Sequence, residues 1–239
     1  MTRLSAWRAR EAWAGFLLVA PGLLVLSFFL LLPVVASLAL SLTDFDLYAV
    51  GDPSAARVVG LRNYARLLDD PVFWKALGNT FFFVLVGGPL TVALSLGTAL
   101  LLNHRLVRLP GLFRTIYFAP VVTTLVAVAA VWRYLYHPRF GLLNAALALL
   151  GIAPVDWLGD PRWAMPAIVL MAAWKNFGAN MIIFVAGLKA IPESLYEAAK
   201  IDGAGPFQRF RRITVPLLAP TFLFVGLTTT IGYFQLFAE

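Results

Sequence analysis

Five long apolar runs, each bracketed by charged or strongly polar residues, dictate what this chain can become. They cover Ala12 to Thr43, Ala76 to His104, Thr115 to Trp132, Trp163 to Leu188 with Lys175 as its one charge, and Ile213 to Ala238. About 20 apolar residues in a helix cross a hydrocarbon core of roughly 30 Å, so each run is long enough to span a bilayer. Composition agrees: 61% of residues are hydrophobic and 13% charged, whereas soluble domains are roughly half apolar and about one quarter charged. The expectation is an all-α, polytopic membrane helix bundle. Its crossings fall at about 13–41, 77–102, 113–133, 164–187 and 215–237, within a single domain over 1–239. The first run far exceeds the ~7 to 15 apolar residues of a cleaved signal peptide, so it reads as a retained helix. Helices buried in a soluble core would not supply five such runs in 239 residues.

Charge sets the orientation. Arg3, Arg8 and Arg10 precede the first run; Arg105, Arg108 and Arg114 follow the second; Lys189, Lys200, Arg209, Arg211 and Arg212 follow the fourth. Against these stand only Glu11, Glu193, Glu197 and Asp202. On the alternate side Arg57, Arg62, Arg66, Lys75, Arg133, Arg139 and Arg162 are balanced by Asp44, Asp46, Asp52, Asp69, Asp70, Asp156 and Asp160. Loops rich in Lys and Arg stay in the cytoplasm, which predicts a cytoplasmic N-terminus. The net charge of +7 therefore reports topology and contact with anionic membrane lipid rather than nucleic-acid binding.

The connection between the fourth and fifth runs, about 188–214, is the most structured loop by sequence. Pro192 suits the first position of a helix, where its missing N–H is no loss, and the helix should continue to Ile201. Asp202-Gly203 breaks it, glycine reaching a backbone conformation costly for other residues. Pro206 opens a second helix with Phe207 and Phe210 on a bundle-facing stripe and Gln208, Arg209, Arg211 and Arg212 on its other sides. Pro216 and Pro220 mark the start of the fifth crossing.

This loop resembles the EAA loop of ATP-binding-cassette importer permeases, in which Glu-Ala-Ala precedes a glycine and Ile-x-x-Pro closes the motif. Glu197, Ala198, Ala199, Asp202, Gly203, Ala204, Phe210, Ile213, Pro216 and Pro220 fall on that pattern. SLTDFD at Ser41 to Asp46, VGLRNYARLLDDPVFWKALGNT at Val59 to Thr80, FRTIYFAPVV at Phe113 to Val122 and VWRYLYHPRFGLLN at Val131 to Asn144 are similar to the carbohydrate-uptake branch, which includes maltose-type and glycerol-3-phosphate-type permeases. The resemblance implies a multi-pass subunit of a prokaryotic inner membrane that imports a sugar or related polar solute. It implies cytoplasmic ABC ATPase subunits whose cleft receives the loop as a coupling helix, a second homologous permease subunit and an extracytoplasmic solute-binding protein. Glu197 and Gly203 would pass the motion of ATP-driven closure into the membrane. It further implies six crossings, the sixth expected beyond Glu239, and so a C-terminally truncated bundle.

Few residues offer chemistry inside the membrane. Lys175 lies mid-crossing, where a lysine costs roughly 2.5 to 3.5 kcal/mol to insert. Asn176 and Asn180 are i, i+4 neighbours, a polar stripe suited to a translocation path or to hydrogen bonds between helices. Gly87-Gly88-Pro89 interrupts the second crossing as a hinge or a packing device.

Other functions fare poorly. None of the acids lies within a crossing, which argues against an intramembrane hydrolase and against an ion-coupled secondary transporter or channel, the alternative not driven by ATP. No Gly-x-x-x-x-Gly-Lys-Ser/Thr phosphate loop is present, so ATP is expected to be used by a partner subunit, with no cofactor or metal bound here. His104 and His137 are separated by a crossing and cannot share a metal. The absence of cysteine excludes thiolate sites.

Overall fold

A computed structural model describes residues 2–45, 57–104 and 107–235, with side chains from residue 10 onward. Asp46, Asp52, Arg105, the last residues of the expected fifth crossing and Glu239 lie outside the described residues. Among those described, helices dominate and the only strand-like pairing is an isolated bridge between Thr43 and Val58. The chain divides into two compact units, Met1–Lys75 and Ala76–Glu239.

In the first unit, α1 (Thr2–Leu26) continues through a π-turn (Ser27–Leu31) into α2 (Leu32–Ser41). Arg10–Ser41 is long and apolar enough to cross a membrane. The short α3 (Arg62–Asp69) closes the end of α2. Asn63 Nδ2 donates to Ser41 O at 2.9 Å and Thr43 O at 2.7 Å, and Tyr64 Oη lies 2.7 Å from Ser41 Oγ. Asn63 thereby satisfies the Ser41 carbonyl, one of those that a helix C-terminus leaves without an intrahelical partner.

α4 (Pro71–Phe82) runs through a second π-turn (Phe83–Gly87) into α5 (Gly88–Leu102). The second unit continues with α6 (Pro110–Val122), α7 (Leu125–Leu135), α8 (Leu142–Leu149) and the long α9 (Pro161–Ala190). Then come α10 (Glu193–Ile201), α11 (Pro206–Arg209), a third π-turn (Phe210–Thr214), α12 (Val215–Leu217) and α13 (Ala219–Phe234). Pro71–Leu102 and Pro161–Ala190 are also single helices of spanning length.

Two expected crossings are bent rather than straight. Pro110–Val122 meets Leu125–Leu135 at 101°, and Pro206–Leu217 meets Ala219–Phe234 at 66°. The sharper bend falls at Thr123 and Thr124, both extended. They end the run Val121-Val122-Thr123-Thr124, four β-branched residues with restricted helical rotamers. The Thr123 hydroxyl donates to Ala119 O at 2.9 Å, partnering one carbonyl left at the helix end.

Each π-turn precedes a proline: Pro33, Pro89 and Pro216. A helical proline collides with the carbonyl four residues earlier. Those carbonyls belong to Phe29, Leu85 and Arg212, the central residues of the three π-turns. The wider turn makes room for the proline ring and lets the helix continue. Gly87-Gly88-Pro89 is thus a widened turn within a continuous span, and Thr91 Oγ1 donates to Gly87 O at 2.8 Å.

α9 is the axis of the second unit. Its N-terminal half packs on α7 through Val128, Trp132, Tyr136, Ala167 and Met171, and on the second π-turn through Phe83, Val84, Val169 and Ala172. Its C-terminal half packs on α5 and α13 through Ala99, Leu102, Met181, Phe184, Val185, Leu188, Leu218 and Val225. Gly178 lets α6 approach: a Cβ there would overlap Tyr117 O. Apolar burial drives little association in lipid, so such close packing and interhelical hydrogen bonds carry the bundle. The aromatic residues near the run ends mostly pack on one another, Trp174 on Trp132, Trp132 on Tyr136, Tyr136 on Trp157 and Trp157 on Trp163, with centroids 5.1–5.7 Å apart.

Candidate functional site

Two groups of sequence-singled residues assemble at separate places in the second unit. The first is the loop after α9. α10 begins at Glu193, and Pro192 is its N-cap with extended backbone (φ −60°, ψ 130°), one residue earlier than the helical position its chemistry suggested. As an N-cap it gives up no helical hydrogen bond. α10 ends as expected at Ile201, and Gly203 takes φ +77°. Gly203 N donates to Lys200 O at 3.0 Å and Ala204 N to Ala199 O at 2.8 Å. This pair of bonds closes the helix and requires the left-handed residue between them.

The two faces of α10 differ. Glu197 and Ala198 are exposed and Ile201 is 87% exposed, a projecting surface left uncovered by the described residues. On the other face Tyr196 packs against the core cluster at the end of α9. Its hydroxyl lies 2.9 Å from Thr214 Oγ1, in the buried part of the third π-turn. α10 is thereby tied both to the α9 end and to the π-turn that leads into α12 and α13.

The segment Pro206–Leu217 departs from the expected stripe. Phe210 and Ile213 are half-buried and Thr214 is buried, but Phe207 is 73% exposed. Inward packing begins with the π-turn, one turn after Phe207, so Phe207 belongs to the projecting surface. Ala199 and Ala204 are half-buried, Asp202 and Pro216 exposed.

The second group lies within the membrane helices. Asn176, Ala179 and Asn180 of α9 face Thr228, Thr229, Gly232 and Tyr233 of α13 across a cavity of about 270 Å³. Asn180 Nδ2 donates to Thr229 Oγ1 at 2.9 Å. Tyr233 is buried, its hydroxyl 2.6 Å from Thr91 Oγ1. Ser95 Oγ lies 2.6 Å from Thr91 O and 3.0 Å from Phe177 O. The structure therefore brings Asn176 and Asn180 together at one polar cavity and leaves half-buried Lys175 outside its lining. Lys175 is one position, about 100° of helix, from Asn176.

Sequence reasoning missed Tyr196, Thr214, Thr229 and Tyr233. The hydroxyls of Thr228, Thr229 and Thr230 interrupt an apolar run, and their alignment at i, i+4 with Gly232 and Tyr233 was the available signal. Nothing local marks Tyr196 as the partner of Thr214.

Comparison with known proteins places this geometry. Residues 90–238 match the family described as binding-protein-dependent transport system inner membrane component. The chain is 41% identical over 227 residues to the lactose transport system permease protein LacF of Rhizobium radiobacter, covering 94% of this chain and 74% of that protein. It is 39% identical over 233 residues to the trehalose/maltose transport system permease protein MalF of Thermococcus litoralis, covering 98% and 77%. Among solved structures, a bacterial ABC transporter involved in import of the acidic polysaccharide alginate superposes with a TM-score of 0.72 at 25% identity, covering 96% of this chain and 76% of that one. A second structure of a bacterial alginate ABC transporter, in complex with an alginate pentasaccharide-bound periplasmic protein, gives a TM-score of 0.73 at 24% identity.

Proposed function

The chain belongs to the family of binding-protein-dependent transport system inner membrane components, and on that premise we propose that its α10–α11 loop couples a separate ATPase to sugar passage between α9 and α13. It is a permease subunit of an ABC importer, a membrane transport component and not an enzyme. The relatives that carry lactose and trehalose or maltose favour a sugar or closely related polar solute as cargo.

The observation that carries the coupling role is the division of α10 into two faces. Its outward face presents Glu197, Ala198 and Ile201 for an ATPase cleft, while Tyr196 fixes its inward face to the π-turn before α13. A short helix capped at Gly203 and tied at Tyr196 moves as a rigid body, so a displacement imposed on its outer face reaches the α9 and α13 ends. The family pattern at Ala199, Asp202, Ala204, Phe210, Ile213 and Pro216 supports the same reading: these residues shape the cap and turn that hold the helix at its angle. Glu197 supplies the charge for the partner.

The excess of Lys and Arg around this loop supports a cytoplasmic α10 and a cytoplasmic N-terminus. ATP is used by the partner ATPase subunits. A second homologous permease supplies the other half of the path, and an extracytoplasmic binding protein delivers the solute. The path is lined here by Asn176 and Asn180 with Thr228 and Thr229, whose amides and hydroxyls can exchange hydrogen bonds with sugar hydroxyls.

The sequence has no cysteine, which makes a single thiol at Ala198→Cys a clean probe. In inside-out vesicles carrying the complete importer, a membrane-impermeant thiol reagent is expected to modify it, and the ATPase subunits to protect it. Modification from the opposite face, or unchanged modification with the ATPase bound, contradicts the proposal.

A further inference from the structure

The inward face of α10 also borders a space that the coupling role does not use. A cleft of about 880 Å³ opens between the end of α5, the last turn of α9, α10 and α11. Lys189, Lys200 and Arg209 line it against one carboxylate, Glu193. Three cations against one carboxylate leave an excess of positive charge that an anion would balance; the Nε of Arg209 has no hydrogen-bond partner among the described residues, but it is buried and not open to the cleft.

Lys189 and Lys200 lie in the last turns of α9 and α10, where the partial negative charge of a helix end attracts them. Arg209 has no such attraction, since its helix continues from Pro206 to Leu217. The cleft lies where two spans end, Pro71–Leu102 and Pro161–Ala190, which is headgroup depth, and its lining adds apolar Leu188 and Ile191 to the charges. Basic pockets between spans at the cytoplasmic surface hold anionic lipid headgroups in this way. Pro192, Glu193, Tyr196 and Lys200 of this loop line the cleft, whereas the exposed Glu197, Ala198 and Ile201 lie outside its lining and stay available to the ATPase.

We propose that this cleft binds the phosphate of an anionic phospholipid of the cytoplasmic leaflet, seated behind the coupling helix. The choice of leaflet rests on the orientation inferred above.

The complete importer in nanodiscs containing phosphatidylglycerol, with bound lipid counted by native mass spectrometry, tests it. Lys200→Gln with Arg209→Gln is expected to lose one bound phosphatidylglycerol relative to wild type. Arg211→Gln with Arg212→Gln, which removes equal charge from the same loop outside the cleft, is expected to keep it. Equal loss in both pairs, or loss in neither, overturns the site. Displacement of the lipid by inorganic phosphate assigns the cleft to a soluble phosphate compound and overturns the lipid source. If the first pair fails to insert, Lys189→Gln makes the same comparison. Nanodiscs expose both leaflets, so lipid retention is independent of orientation, which the Ala198→Cys labelling reads separately.

Discussion

The Tyr196 hydroxyl and Thr214 Oγ1 stand 2.9 Å apart, and through that contact the first helix of the loop is bonded to the turn that leads into α12 and α13. Removing either hydroxyl should cost about 0.5 to 1.5 kcal/mol, the net worth of one hydrogen bond. Tyr196→Phe and Thr214→Val are expected to lower sugar uptake per ATP hydrolysed while the ATPase still co-purifies. Because both act on one bond, the double variant should do little further harm. Paired uptake and ATPase assays in proteoliposomes check this; independent, additive losses would show that the two residues are not coupled.

Gly203 is constrained by its backbone and not by space. Nothing lies within 4 Å of a Cβ built there, yet φ is +77°. A non-glycine residue in the left-handed region costs about 1 to 2 kcal/mol, with asparagine tolerated best. Uptake is therefore expected to fall in the order Gly, Asn, Ala, Val. An alanine variant indistinguishable from wild type in uptake assays would remove the cap from the account.

At Gly178 the constraint is space, since a Cβ would run into the Tyr117 carbonyl. Gly178→Leu should separate α6 from α9 and destabilise the bundle by about 1 to 3 kcal/mol, as overpacking does. Thermal unfolding of the purified importer in detergent measures it.

Asn180 and Thr229 share one interhelical hydrogen bond. Such bonds in membranes average about 0.6 kcal/mol, so Thr229→Val should barely move the unfolding temperature. Asn176→Leu and Asn180→Leu remove polar groups from the cavity and should raise the sugar concentration needed for half-maximal uptake. Lys175→Gln, outside the lining, should leave that concentration unchanged. A concentration dependence that shifts for Lys175 and not for the asparagines would move the path to another face of α9.

Much of this arrangement was legible in the sequence because it is local. Apolar length marked the three single helices of spanning length, Asp202-Gly203 the end of α10, and the Asn176, Asn180 spacing one shared face. What stayed hidden depends on partners distant in sequence. Phe207 reads as core until the π-turn shows that inward packing starts one turn later. Lys175 and Asn176 are adjacent in sequence, and only the position of α13 separates their surroundings. The 101° bend at Thr123 and Thr124 has no glycine or proline at its vertex, and the β-branched run that produces it is equally compatible with a straight membrane helix. The π-turns follow from Pro33, Pro89 and Pro216, but a proline alone does not distinguish a kink from a widened turn.

The most direct test of the coupling role is Glu197→Lys in the complete importer, with membrane insertion, ATPase co-purification and sugar uptake measured on one preparation. The account predicts normal insertion, weakened ATPase association and abolished uptake. Wild-type co-purification together with normal uptake would contradict it.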